Sequence, residues 1–328
     1  MAYQNVSTPR FYCNVLEWED SIGYRSIDSI NRTLPVTPTN FVPLYYSEGA
    51  GQWNEQSFVA FLGHRLHGSN IFFVVDPGGT VSQADWTEPL VNAEGGAYSG
   101  YPFNGFSILG FNGEGVEYFG IVSATITPGV NTVGSLIAGT YYDMPQSANL
   151  SLSLSYEYDG VKKITTKGGY DLSYSKYTKP AMWDLGAWEL DVEDPPEHQR
   201  LGRSGRRSWD LKFSFMDDAA LWGPNQALET YTWGSILAED GWDSEDLYES
   251  PNWSFNSTLL SDDNFFSQVW HKTNSGTLPF LFNPAGGGSN PNNNPDMFAI
   301  CKFKNNSLKA PQSAFNVYDI SLSIEEVW

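Results

Sequence analysis

The stretch SGRRSWDLKFSF, residues 204–215, opens with a glycine and two adjacent arginines and ends in two-residue alternation. Trp209, Leu211, Phe213 and Phe215 fall on one side, with Asp210, Lys212 and Ser214 on the other. That is the period of a half-buried β-strand. Similar signals surround it. NLSLSLSYEY alternates Leu150, Leu152 and Leu154 against serines, and Asp159-Gly160 follows at once, then VKKITT. An Asp-Gly pair between two such runs predicts a two-residue hairpin turn. Three more strands are expected at the C-terminus, in TLPFLF, MFAICKF and VYDISLSIEEVW; in the last, Ile320, Leu322 and Ile324 alternate with Ser321, Ser323 and Glu325.

Between these strands, SDDNFFSQVWHKTNSG predicts one helix. Ser261 would cap it, Asp262 and Asp263 would suit the positive end of its dipole, and Gly276 would close it. An Asn/Gly/Pro-rich loop is expected over 283–295. The first 133 residues read as short apolar strands, FVAFLGHRLHG and NIFFVVDPGG among them, broken by glycine turns. The expected fold is mainly β: two sandwich- or barrel-like domains, 1–133 and 134–328, with a few short helices.

Composition narrows the function. The 328 residues carry 38 acidic and 18 basic side chains, a net charge of −20, and 15% of them are aromatic. A field of that sign repels nucleic acid and anionic membranes alike. No apolar run approaches the ~20 residues that span a bilayer, and MAYQNVSTPRFYCNVLEW has no signal-peptide pattern, so a soluble protein made in a cytoplasm is expected. Cys13 and Cys301 do not make a disulfide framework; both are expected to stay reduced, in separate domains.

Catalytic signatures are missing. His64 and His67 form H-x-x-H without a further ligand at metal spacing, and AEDGWDSEDLYE lacks the order of a calcium loop. No phosphate-binding loop, nucleophile elbow or zinc-protease motif is present. The expectation is a protein without enzymatic activity, cofactor or metal. The exception to the chain's charge is HQRLGRSGRR, where Arg200, Arg203, Arg206 and Arg207 gather. Arginine favours bidentate pairing with carboxylates, and an acidic twin subunit offers many. A solvated loop or a nucleic-acid contact are the other readings.

The helix-to-strand passage FFSQVWHKTNSGTLPFLFNP, the ending FNVYDISLSIEEVW and the strand SGRRSWDLKFSF together resemble the distal tail and minor tail proteins of tailed phages, over residues 160–328. The resemblance implies a ring-forming β domain in the virion, assembled in the host cytoplasm and contacting tube and hub proteins. Arg203, Arg206, Arg207 and Trp209 would then lie at the subunit interface, on strands whose edges pair between copies. FVAFLGHRLHGSN resembles galactose-binding-like sandwiches, which implies a host-glycan contact near His64, His67, Asn70 and Trp86. The alternatives are a carbohydrate-binding module, a glycan-acting enzyme, or a capsid decoration protein.

Overall fold

The computed structural model describes residues 7–21, 34–35, 42–46, 55–62, 71–76, 86–89, 107–111, 118–123, 132–133, 135–149, 153–157, 162–174, 206–222, 263–288, 291–292 and 297–327. The protein is mainly β, as expected. Its first nine strands are β1 (Thr8–Asn14), β2 (Leu34–Pro35), β3 (Val42–Tyr46), β4 (Ser57–Leu62), β5 (Ile71–Asp76), β6 (Trp86–Pro89), β7 (Ser107–Phe111), β8 (Tyr118–Ser123) and β9 (Thr132–Val133). The remainder are β10 (Ser135–Asp143), β11 (Ser153–Glu157), β12 (Lys162–Thr165), β13 (Asp171–Tyr174), β14 (Arg206–Asp217), β15 (Phe280–Gly287), β16 (Ala299–Phe303), β17 (Gln312–Ala314) and β18 (Val317–Glu326). Two short helices, α1 (Val15–Ser21) and α2 (Asp218–Leu221), and a π-helical turn at Phe266–His271 complete the described elements.

Ten strands form one antiparallel sheet in the order β11-β14-β18-β16-β15-β1-β10-β4-β7, with β17 also paired to β18. A four-stranded sheet, β3-β8-β5-β6, and the pairs β2-β9 and β12-β13 stand apart from it. This order corrects the expected boundary after Val133. Strand β1 lies between β10 and β15, hydrogen-bonded to both, and β4 and β7 extend the sheet beyond β10. Strands from both sides of residue 133 therefore share one continuous ladder, and 1–133 is not a separate hydrogen-bonded unit.

The two kinds of strand in this sheet have different sequence patterns for a physical reason. At the centre both faces are covered: Phe11, Cys13, Phe280 and Phe282 enter one apolar cluster, while Tyr12 and Leu281 enter a second on the opposite face. Such strands read as unbroken apolar runs, which is how RFYC and PFLF read. Towards β14 and β18 only the first face is buried, so Trp209, Leu211 and Phe213 face Ile320, Leu322 and Ile324 across the ladder and their neighbours are more exposed. The aromatic density does the packing: Phe11 alone has four phenylalanine rings within 6.0 Å of its own, from Phe265, Phe280, Phe282 and Phe303.

Local departures from the expected pattern have local causes. Along β14 the register runs Phe213↔Ile320 and then Met216↔Tyr318, so three steps on one strand face two on the other. One extra residue of this kind is a β-bulge. It throws Phe215 out of the core, 76% exposed with φ +62, and gives its place to Met216. Leu154 is 49% exposed because β11 is the last strand of the sheet. The expected Asp159-Gly160 turn lies outside the described residues; among those, β12 pairs with β13 and not with β11.

The helix expected near 261–276 is a single π turn. Asn264 caps it, with its side-chain oxygen accepting from the Ser267 N–H at 2.9 Å; Ser261 lies outside the described residues. Gly276 closes it at φ +82, and a side chain there would run into Phe303. The expected loop 283–295 begins later than its composition implies, since β15 continues through Gly287 and Asn283 is fully buried. Both cysteines are free, as expected, but not in separate units. Cys13 and Cys301 both face Phe280, one from each neighbouring strand. Two strand spacings, roughly 10 Å, separate them, well beyond disulfide reach.

Candidate functional site

Several places in the described chain concentrate polar or exposed chemistry, and the arginine pair is the first. Arg207 is 7% exposed and stays within its own chain. Its Nε donates to Glu326 Oε2 at 3.1 Å, and its NH2 group donates to Glu326 Oε1 at 2.9 Å and to the Phe298 carbonyl at 2.7 Å. The Arg207 backbone N–H donates to the same carboxylate at 3.0 Å, and the guanidinium lies 5.2 Å from the centre of the Trp209 ring. Glu326 is fully buried. The expected reach of Arg207 across a subunit boundary is therefore corrected: its carboxylate comes from β18, which runs antiparallel beside β14. Trp209 is 4% exposed and stacks edge-on against Phe282, so it is core rather than interface. Nor is either strand a sheet edge, because β14 lies between β11 and β18, and β18 between β14 and β16.

A signal for this pair was present in the sequence. An antiparallel neighbour brings the start of one strand to the end of the other, and GRRSW begins β14 just as IEEVW ends β18. Arg206, partly buried, stands opposite Glu157 of β11. Arg203, His64, His67 and Asn70 lie outside the described residues. Trp86 begins β6 and is opposite Val74 of β5.

A second polar centre sits under the π turn. Lys272 is 1% exposed, and its Nζ donates to Thr140 Oγ1 and to Gln268 Oε1, both at 2.8 Å. Burial lowers its pKa from 10.5 to about 8, opposed by the nearby Cys13 thiol and Asp263. Burial also pushes the Cys13 thiol up to about 12 and the Cys301 thiol well above its ordinary value. Two thiols this far from ionising are poor nucleophiles. The centre is a satisfied core network with one costly charge in it.

The third place is the β12–β13 hairpin, residues 162–174. Thr165 faces Asp171, and its hydroxyl donates to that carboxylate at 2.7 Å. The turn is tied by Gly169 N–H to the Thr166 carbonyl at 2.9 Å and by Tyr170 N–H to Thr166 Oγ1 at 3.1 Å, with Gly169 at φ +81. Register places Lys163, Thr165, Asp171 and Ser173 on one face, and Ile164 opposite Leu172 on the other. Ile164 and Leu172 are each 60% exposed and Tyr170 76%. An isolated two-stranded ribbon is marginal in water, and an exposed apolar face of this kind marks an interaction surface. The hairpin is also cationic. Lys162, Lys163 and Lys167 against Asp171 give 3 − 1 = +2, in a chain of −20. The sequence reading took 162–165 only as the return strand of a hairpin. The signal it passed over was three lysines around Ile164 and a Gly168-Gly169 turn.

Among the described residues no three His, Cys, Asp or Glu side chains are grouped to hold a metal, and no helix is long and apolar enough to cross a membrane. Comparison of the chain with protein-family models, with curated proteins and with solved structures gave no match.

Proposed function

We propose that this chain is a structural subunit, without enzymatic activity, that associates with further copies of itself through the 162–174 hairpin. The observation that carries the reading is that hairpin: Ile164 and Leu172 exposed on one face with Lys162, an exposed Tyr170 at the turn, and Lys163 and Lys167 elsewhere on the same ribbon, on a chain of net charge −20. A second copy is the occupant its charge selects, because an acidic surface attracts the lysines while the Ile164–Leu172 face loses contact with water. The outer edge of β11, which pairs with no strand among the described residues and where Ser153, Leu154 and Ser155 are exposed, lends itself to the same contact. A single such heterologous interface, repeated, closes into a ring when its rotation permits.

The resemblance of residues 160–328 to distal tail and minor tail proteins gives the ring its setting. On that reading it is part of the tail tip of a phage virion, assembled in the host cytoplasm and seated between tube and hub proteins, with a host-glycan contact from the N-terminal half. Electron microscopy of the purified chain at its highest soluble concentration tests the proposal. Closed rings of one diameter are expected; a particle that stays monomeric, or grows as open fibres, overturns it.

A further inference from the structure

The solvent face of β14 and β18 carries a cleft that the assembly reading does not use. After β16 the chain turns back across this face. Lys304 N–H donates to the Ser323 carbonyl at 2.9 Å and Asp319 N–H to the Pro311 carbonyl at 3.0 Å, so residues 305–311 form a wall above the strands. Between wall and sheet lies a cavity of about 690 Å³, a size that suits a small ligand. Its floor is the cross-strand pair Lys212 and Ser321 with Asp319, and its wall holds Asn305, Ser307 and Lys309. Neither lysine has a carboxylate at ion-pair distance among the described residues.

Beside the cleft stands the bulge. The Phe215 N–H donates to Asp319 Oδ1 at 3.0 Å, which holds this phenylalanine 76% exposed in a left-handed conformation that bulky residues avoid. A strained, exposed aromatic residue whose backbone is bonded to a residue of the cleft floor points to use rather than packing.

We propose that this cleft binds a saccharide carrying a single carboxylate. The two ammonium groups take the carboxylate. Asn305, Ser307 and Ser321 supply the amide and hydroxyl partners that sugar hydroxyls need, and Phe215 offers an apolar face to the ring. Ala310 and Pro311 add an apolar strip to this otherwise polar lining, a mixture that suits a sugar's hydroxyls and ring carbons together. The −20 field repels a polyanion before it arrives, so an isolated negative charge among hydroxyls is the fitting chemistry. Sialic acid and uronic acid sugars share it. The inference stands on the cleft alone and holds whether or not the chain forms rings.

Calorimetry and saturation-transfer NMR on the full chain test it, with three probes: sialyllactose, a glucuronate-containing disaccharide, and lactose. One or both acidic sugars should bind at least about tenfold more tightly than lactose, and which of them does so identifies the source of the carboxylate. The double variant Lys212→Gln/Lys309→Gln should reduce the acidic sugar to the lactose level. Phe215→Gly should weaken sugar binding while the thermal midpoint holds or rises, since glycine accepts that φ; a merely structural Phe215 would leave binding unchanged. Equal binding of lactose and the acidic sugars, no binding of either acidic sugar, or undiminished binding by the lysine variant would each overturn the proposal.

Discussion

Replacing Glu326 by Gln removes one charge from the β14–β18 seam and changes almost nothing in shape. It leaves the Arg207 guanidinium buried, its 2.9 and 3.1 Å carboxylate bonds replaced by a neutral amide. Breaking a buried pair from one side costs about 3–5 kcal/mol, because the remaining charge stays out of water without compensation. Arg207→Met is expected to cost a similar amount, since it takes from the fully buried carboxylate both guanidinium bonds and the opposite charge. Removing both charges, as Arg207→Met/Glu326→Leu, relieves the orphaned partner in each case. The double variant should therefore lose less than either single one. Urea unfolding followed by tryptophan fluorescence gives all three values. With a slope of about 3 kcal/mol per molar, each single variant should lower the midpoint by about 1 M or more. The loss relative to the wild type should not depend on protein concentration, because the pair lies within one chain. Single variants costing under about 1 kcal/mol, additive costs, or a loss relative to the wild type that changes with concentration would refute an intrachain buried pair.

Gly139→Ala tests the packing of α1 on β10: the new Cβ would collide with the Cys13 carbonyl and lie 2.7 Å from the Val15 nitrogen, both backbone atoms that cannot step aside. A loss of about 4 kcal/mol or failure to fold is expected, and a soluble variant with an unchanged thermal midpoint would contradict it. Lys272→Met tests the buried ammonium. With a folded pKa of about 8 against 10.5 unfolded, the charge is present in both states below pH 8, and its burial penalty is relieved as pH rises from there. The full shift corresponds to about 3 kcal/mol. The stability advantage of the Met variant should thus shrink between about pH 8 and 10.5; the two buried thiols, both raised, act in the opposite direction but alike in the two proteins. The Met variant should be more stable at pH 7 and lose that advantage above pH 8; a difference between the two proteins that does not change with pH in urea titrations would remove the premise.

How much of this was legible in the sequence follows from the range of each signal. One-sided strands declare themselves, so Trp209, Leu211 and Phe213, and Ile320, Leu322 and Ile324, were read correctly residue by residue. The closing role of Gly276 was equally local. What escaped was pairing across distance. Nothing in RFYC says that β1 will lie between β10 and β15, more than a hundred residues away, and so the single sheet was read as two domains. The alternation through Phe215 broke because a bulge costs one strand a residue that its own sequence does not mark. The Asp159-Gly160 turn lies outside the described residues, and the partners of the strands on either side of it are ones a local motif cannot see: β11 found β14, with Ser155 and Ser208 hydroxyls bonded across the seam, and β12 found β13. The arginines were correctly singled out but for the wrong partner, since the carboxylate that answers Arg207 is 119 residues on in its own chain. Candidate chemistry was legible only as absence of motifs. Both the exposed hairpin and the cleft arise from what the fold leaves uncovered.

The account stands most directly on the hairpin as the contact between copies. Sedimentation velocity over a range of concentrations, on the wild-type chain and on Ile164→Glu/Leu172→Glu, measures it. Both side chains are 60% exposed in the single chain, so their replacement should leave the thermal midpoint nearly unchanged. At an interface the same change places two carboxylates against an acidic surface and removes the apolar contact. The account predicts a wild-type chain that moves to one larger closed species as concentration rises, an assembly weakened by salt, and a double variant that remains a folded monomer throughout. Identical distributions for the two proteins would contradict it.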